Sequence, residues 1–164
     1  MIEYGRNTLG TNARVFEPVI LGFPSKDRIG CESFRGTVIG RNALLRSGTT
    51  IYCDVEIGDD FSCGDNVRIR ERTRIRNRVA VGTGTVIEGN TTVGDDVRIQ
   101  SLAFIPINTT IGNGVFIGPH AVLTNDRYPP TGKPELRGPI LSPRSVIGAN
   151  ATILPGITVG TGAC

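Results

Sequence analysis

Residues 81–122, written in blocks of six, read VGTGTV IEGNTT VGDDVR IQSLAF IPINTT IGNGVF IGPHAV. Every block begins with Val or Ile and carries Thr, Val or Ala at its fifth place. Extended outward in steps of six, the leading position runs from Ile39 through Leu45, Ile51, Ile57, Cys63, Ile69 and Ile75 to Leu123. It resumes in phase at Leu141, Ile147, Ile153 and Val159. Of these 19 positions, 18 are Ile, Leu or Val. Looking for internal periods first is decisive here, because neither a helical period of 3.6 nor two-residue alternation accounts for the pattern.

The fifth position of each block is small, as in Ala43, Thr49, Val67, Thr85, Ala103 and Ala121, with Phe61 and Ile157 as exceptions. Glycine often follows the leading aliphatic residue. A short strand with one large and one small inward residue buries too little apolar surface to stand alone. Stacked copies cover one another, so stability becomes a sum over neighbours. Leu9, Val15 and Leu21 share the phase and predict an N-terminal coil, with a loop over residues 27–36 before the main run.

The composition agrees. Apolar residues make up 38% of the 164, but only 5% are aromatic and tryptophan is absent, so the core is aliphatic. Ile and Val suit pleated strands. The length is that of a single domain, 1–164. No stretch approaches the roughly 18 apolar residues of a membrane span, and the first ten residues lack the features of a secretion signal. A cytoplasmic protein that does not enter the membrane is expected. Cys31, Cys53, Cys63 and Cys164 form no CxxC pair and have no histidine nearby in sequence, which argues against a metal site or disulfide framework.

The six-residue pattern resembles the hexapeptide-repeat transferases, whose signature is an aliphatic residue, Gly, two variable residues, a small residue and one more variable residue. The resemblance covers Ile39 to Cys164 and implies an all-β fold, a single-stranded left-handed parallel β-helix with three blocks per turn. It also implies a homotrimer.

Between Leu123 and Leu141 the period fails. The stretch TNDRYPPTGKPELRGPI, 124–140, carries four prolines and two glycines and cannot continue regular strands. An irregular excursion on a rigid scaffold is a usual place for function. Beside it stands His120, the only histidine, whose place as fourth residue of its block points it outward. FIGPHAVLTNDRYPP together with VIGANATILPGITVG resembles the hexapeptide N-acetyltransferases that acylate nucleotide-linked deoxyamino sugars. The resemblance implies an active-site role for His120, where members carry His or Asn, and acetyl-CoA as acyl donor. Its pantetheine arm would lie along Ala149, Asn150, Ala151, Pro155 and Gly156. Neutral imidazole is suited to taking the proton of an attacking amine or hydroxyl. Asp126 and Glu88 are candidates to orient it.

Asn125, Asp126, Arg127 and Tyr128 offer an amide, both charges and a phenol for a sugar hydroxyl and a diphosphate. The alternative is that Asn125 and Asp126 form the turn leaving the coil. Arg68, Arg70, Arg72, Arg74, Arg76 and Arg78 alternate and all face outward, as a solvated or paired band or as an attractor of phosphates. Without interleaved aromatics the band does not read as a nucleic-acid site. A metal-free acyltransferase acting on the amino group of a nucleotide-linked sugar is therefore expected. Sugar O-acylation and a non-catalytic trimeric scaffold are the alternatives. The sequence stops at Cys164 inside a block without a polar cap, which reads as a fragment or a coil covered by another protein.

Overall fold

The computed structural model describes residues 1–129 and 135–164. Its strands are mostly two residues long and stack into three fully parallel sheets of eight, eight and seven strands. Each sheet takes every third strand in chain order. One coil therefore supplies one strand to each of three faces. Face 1 carries Ile51, Ile69, Ile87, Ile105, Leu123 and Ile153; face 2 carries Ile57, Ile75, Val93, Ile111, Leu141 and Val159; face 3 carries Cys63, Val81, Ile99, Ile117 and Ile147. The chain runs from face 1 to 2 to 3 and back.

Register follows directly from the period. Ile69 pairs with Ile87, 18 residues on, which is three blocks. Leu9 pairs with Ile39 and Ile111 with Leu141, each 30 residues apart, so both irregular segments insert 12 residues beyond the usual 18. Twelve is two blocks, which is why the phase survives both interruptions. The N-terminal insertion contains a short 3-10 turn at Lys26–Arg28. It ends earlier than the sequence expectation of 27–36, because Arg35 and Gly36 already belong to the strand Arg35–Ile39. The second insertion likewise ends before Ile140, which pairs with Thr110.

Leading residues and fifth-position residues both point inward. Ile51, Ile69, Ile87 and Ile105 are fully buried, as are Ala43, Thr49, Thr73, Thr85 and Ala121. The buried threonines are satisfied across the coil: the Thr85 hydroxyl donates to the Gln100 carbonyl at 2.9 Å. Phe61 also lies inside. Burial pushes the Cys63 thiol upward, so it stays protonated as part of this core.

The fourth residue of the blocks makes the corners. Asn42, Asp60, Asn66, Arg72, Arg78, Asn90, Asp96, Leu102, Asn108, His120, Arg144 and Asn150 all have φ near +60°, and Gly48, Gly84 and Gly114 take the same place. Asn, Asp and Gly tolerate this left-handed region best, hence their frequency there. The corner between faces 2 and 3 adds a polar ladder. Asp59, Asn77 and Asp95 present main-chain N–H groups that donate to the side chains of Asn77 at 2.9 Å, Asp95 at 3.0 Å and Asn113 at 2.9 Å.

Candidate functional site

His120 sits at the corner between faces 3 and 1 in the turn Gly118-Pro119-His120-Ala121. Ala121 N–H donates back to the Gly118 carbonyl at 3.3 Å. Proline pre-sets the turn's second position and His120, with φ of 57°, supplies the left-handed third, the requirements of a type II turn. Its main-chain N–H is spent on the Ser101 carbonyl of the preceding coil at 3.0 Å, and Asn150 N–H, one coil later, donates to the Pro119 carbonyl at 3.0 Å. The imidazole is exposed and has no hydrogen-bond partner among the described residues.

The surroundings of His120 are apolar. Leu102 occupies the same corner one coil earlier and is 50% exposed. Phe104 and Val122, adjacent in register on face 1, are 36% and 39% exposed. Phe116, paired with Val146, flanks the corner on face 3. Outward strand positions on a solvated solenoid are normally polar, so this band is an exception. Sequence reasoning passed over it because inward and outward residues here are both aliphatic, and the period marks only the inward ones.

The loop leaves from a different corner, between faces 1 and 2. Its base is pinned: Arg137 N–H donates to the Asn125 carbonyl at 2.9 Å, and Gly156 N–H to the Arg137 carbonyl at 2.9 Å. The Asn108 side chain donates to the Leu136 carbonyl at 2.7 Å. Asp126 Oδ1 accepts Tyr128 N–H at 3.1 Å, so the turn reading of Asn125 and Asp126 is realised. Arg127 lies over the Tyr128 ring at 5.7 Å. Residues 130–134 of the expected loop lie outside the described residues.

Asp126, Arg127 and Tyr128 nevertheless line a cavity of about 420 Å³ with Thr124, Leu154, Pro155 and Ile157. It joins the residues expected for substrate to Pro155 of the expected pantetheine segment. The rest of that segment, Ala149, Asn150 and Ala151, follows the face 3 strand Val146–Ile147 and precedes the face 1 strand Thr152–Ile153, which is the corner of His120. The segment thus runs along face 1 from the histidine corner to the loop corner. Sequence reasoning missed Leu154 and Ile157, although each carried a signal. Leu154 stands where many other blocks have glycine and is 61% exposed, and Ile157, like Phe61, is bulky at a position that is usually small.

The carboxylates expected to orient His120 do not do so within one subunit. Glu88 follows the face 1 strand Val86–Ile87, and Asp126 the face 1 strand Val122–Leu123, which puts both at the corner between faces 1 and 2. Glu88 is 3.8 Å from Arg70. The arginine band is largely paired: Arg70 with Glu71 at 2.9 Å, Arg72 with Asp27 at 3.2 Å, Arg74 with Glu56 at 3.3 Å and Arg78 with Asp96 at 2.7 Å.

Comparison with known proteins agrees with this architecture. Residues 90–125 match the family described as bacterial transferase hexapeptide (six repeats). Over those residues the chain carries repeats of the kind this family is named for. This hexapeptide-repeat chain is 28% identical over 116 residues to the acyl-[acyl-carrier-protein]–UDP-N-acetylglucosamine O-acyltransferase of Campylobacter concisus, covering 70% of this chain and 44% of that protein. Among solved structures, a UDP-N-acetylglucosamine acyltransferase superposes with a TM-score of 0.74 at 20% identity, over 90% of this chain and 54% of the other. The acetyltransferase domain of PglB from Neisseria gonorrhoeae gives 0.58 at 17% identity, over 80% of this chain and 56% of the other. The solenoid is a left-handed parallel β-helix. It spans about half the length of these relatives.

Proposed function

We propose that the chain is the subunit of a homotrimeric, cytoplasmic acyltransferase that takes its acyl group from acetyl-CoA and delivers it to the amino group of a nucleotide-linked deoxyamino sugar. The observation that carries this reading is the lone imidazole of His120, without a hydrogen-bond partner among the described residues and set in an exposed apolar corner, on a fold shared with acyltransferases. The PglB acetyltransferase domain is known in complex with acetyl coenzyme A, which supports coenzyme A as donor.

The trimer resolves the separation of the two corners. A three-fold ring needs two different, complementary surfaces on each subunit. The apolar band around His120 and the cavity between loop and last coil are two such surfaces. Packing one against the other sets the imidazole of one subunit beside Asp126, Arg127 and Tyr128 of the next. There the neutral imidazole takes a proton from the sugar nitrogen as it attacks the thioester carbonyl. A main-chain N–H stabilises the tetrahedral oxyanion. Collapse breaks the carbon–sulfur bond, and the departing thiolate recovers the proton from the imidazolium.

Titration calorimetry with acetyl-CoA tests the donor, with saturation at about one site per subunit expected. No binding to a folded oligomer overturns the proposal and leaves a scaffold. Turnover is then followed chromatographically, since Cys31 and Cys164 are exposed and would react with thiol reagents. The name of the Campylobacter relative favours a hydroxyl acceptor. Paired amino and hydroxyl sugar nucleotides decide, because an ester product is cleaved by mild alkali and an amide is not.

A further inference from the structure

A surface groove lies away from both corners described above, on face 2. It measures about 500 Å³ and is lined by Arg74, Arg76, Thr92, Gly94 and Asn113, floored by Val93 and Ile111. We infer that this groove is a separate anion site that takes the phosphate or diphosphate group of a small molecule.

The sequence creates the geometry. Arg74 and Arg76 flank Ile75, which points into the core, so both guanidinium groups stand on the same outer face. One coil on, Arg74 is in register with Thr92, a short side chain. Gly94, second residue of the next block, has no side chain at all. A Cβ there would meet Asn113 Oδ1 at 2.3 Å, so the floor cannot be filled by a larger residue without moving the ladder.

Donors outnumber acceptors in the groove. Arg74 spends one amino group on the Asp54 carbonyl at 2.6 Å and the Thr73 carbonyl at 3.2 Å, and its Nε faces Glu56 at 3.3 Å. Glu56 is shared with Arg35. Asp95 already accepts from the main-chain and side-chain nitrogens of Asn77, at 3.0 Å each, and reaches Arg76 only at 4.0 Å. Three guanidinium groups, Arg35, Arg74 and Arg76, therefore face two carboxylates, Glu56 and Asp95, leaving one positive charge uncompensated. Asn113 Oδ1 is taken by Asp95 N–H, which turns Asn113 Nδ2 towards solvent as a donor with no acceptor among the described residues. The Thr92 hydroxyl is equally without a partner there. The Arg76 fork and the remaining amino group of Arg74, with a hydroxyl and an amide beside them, match tetrahedral phosphate oxygens. A carboxylate, with two oxygens, would leave some of these donors unused.

Equilibrium titration of the intact protein with pyrophosphate, UDP and uridine tests this site. Saturable binding of pyrophosphate and UDP, weakening as salt is raised, with uridine silent, is expected. Arg76→Gln, at a side chain 72% exposed and so harmless to folding, should weaken binding at least tenfold, while Arg98→Gln, on the exposed side of face 3, leaves it unchanged. Tighter binding of UDP than of pyrophosphate assigns a nucleotide as the source of the phosphates. Absence of binding at millimolar pyrophosphate overturns the inference. So does indifference to Arg76→Gln, or loss of binding in Arg127→Gln instead, which would return the anion to the loop cavity.

Discussion

Replacing His120 by glycine separates the backbone role of this residue from its chemistry. The left-handed φ of 57° costs a non-glycine residue about 1 kcal/mol, and glycine removes that cost. Glycine also widens the unfolded ensemble, which costs about 0.4–1 kcal/mol in the opposite sense. The imidazole contributes no hydrogen bond among the described residues, and the same corner already uses Gly48 and Gly84. Net stability should therefore change by less than about 1 kcal/mol, moving Tm by no more than roughly 4 °C for a domain of this size. Catalysis should respond very differently. Loss of a general base lowers kcat by about 10²–10⁴, equivalent to roughly 3–5 kcal/mol of barrier. Thermal melts and coenzyme A release under saturating acceptor measure both quantities, and added free imidazole should restore part of the rate. A rate within tenfold of wild type refutes the general-base assignment. A fall in Tm beyond about 10 °C would show that His120 holds the corner instead.

Three other outcomes are expected. Ile99→Ala, in a core position 2% exposed, should cost about 2–5 kcal/mol in chemical denaturation, whereas Val159→Ala in the partly exposed final coil should cost less than half as much; equal losses would contradict a continuous ladder core. Phe104→Glu with Val122→Glu should convert the oligomer to monomers in sedimentation velocity and abolish activity while each subunit stays folded; an unchanged oligomer would move the interface elsewhere. Hydrogen bonds from Arg41 and Arg78 hold the carboxyls of Asp59 and Asp96 below the ordinary 3.8. Because their folded values are depressed, the stability they contribute is present above the ordinary value and is lost as pH falls through the folded ones. The urea midpoint should drop below about pH 4, less steeply in Arg78→Gln; identical profiles would remove these pairs from the account.

The fold was legible because its period is written in the residues that do the burying. Ile at one inward place and a small residue at the other specify coil length, register and even the two-block size of each insertion. The loop was legible as a break in that period, since four prolines cannot join a parallel ladder. The apolar band of Leu102, Phe104, Phe116, Val122 and Val146 was not, because nothing in a six-residue repeat distinguishes an outward aliphatic residue on one face from one on another until 18-residue stacking aligns them.

By itself, then, the sequence determined that this chain is a solenoid of six-residue blocks, that its interior is aliphatic, and that His120 points outward beside an interruption. Only the tertiary structure decided what those features meet. Residues four apart along the chain, His120 and Thr124, lead to different corners, while residues 30 apart, His120 and Asn150, share one. Winding three blocks per coil converts sequence separation into angular position, modulo 18 once the 12-residue insertion between them is set aside. That is why Asp126, close to His120 in sequence, does not orient it within one subunit, and why Tyr128, distant in sequence from Leu154 and Pro155, lines one cavity with them.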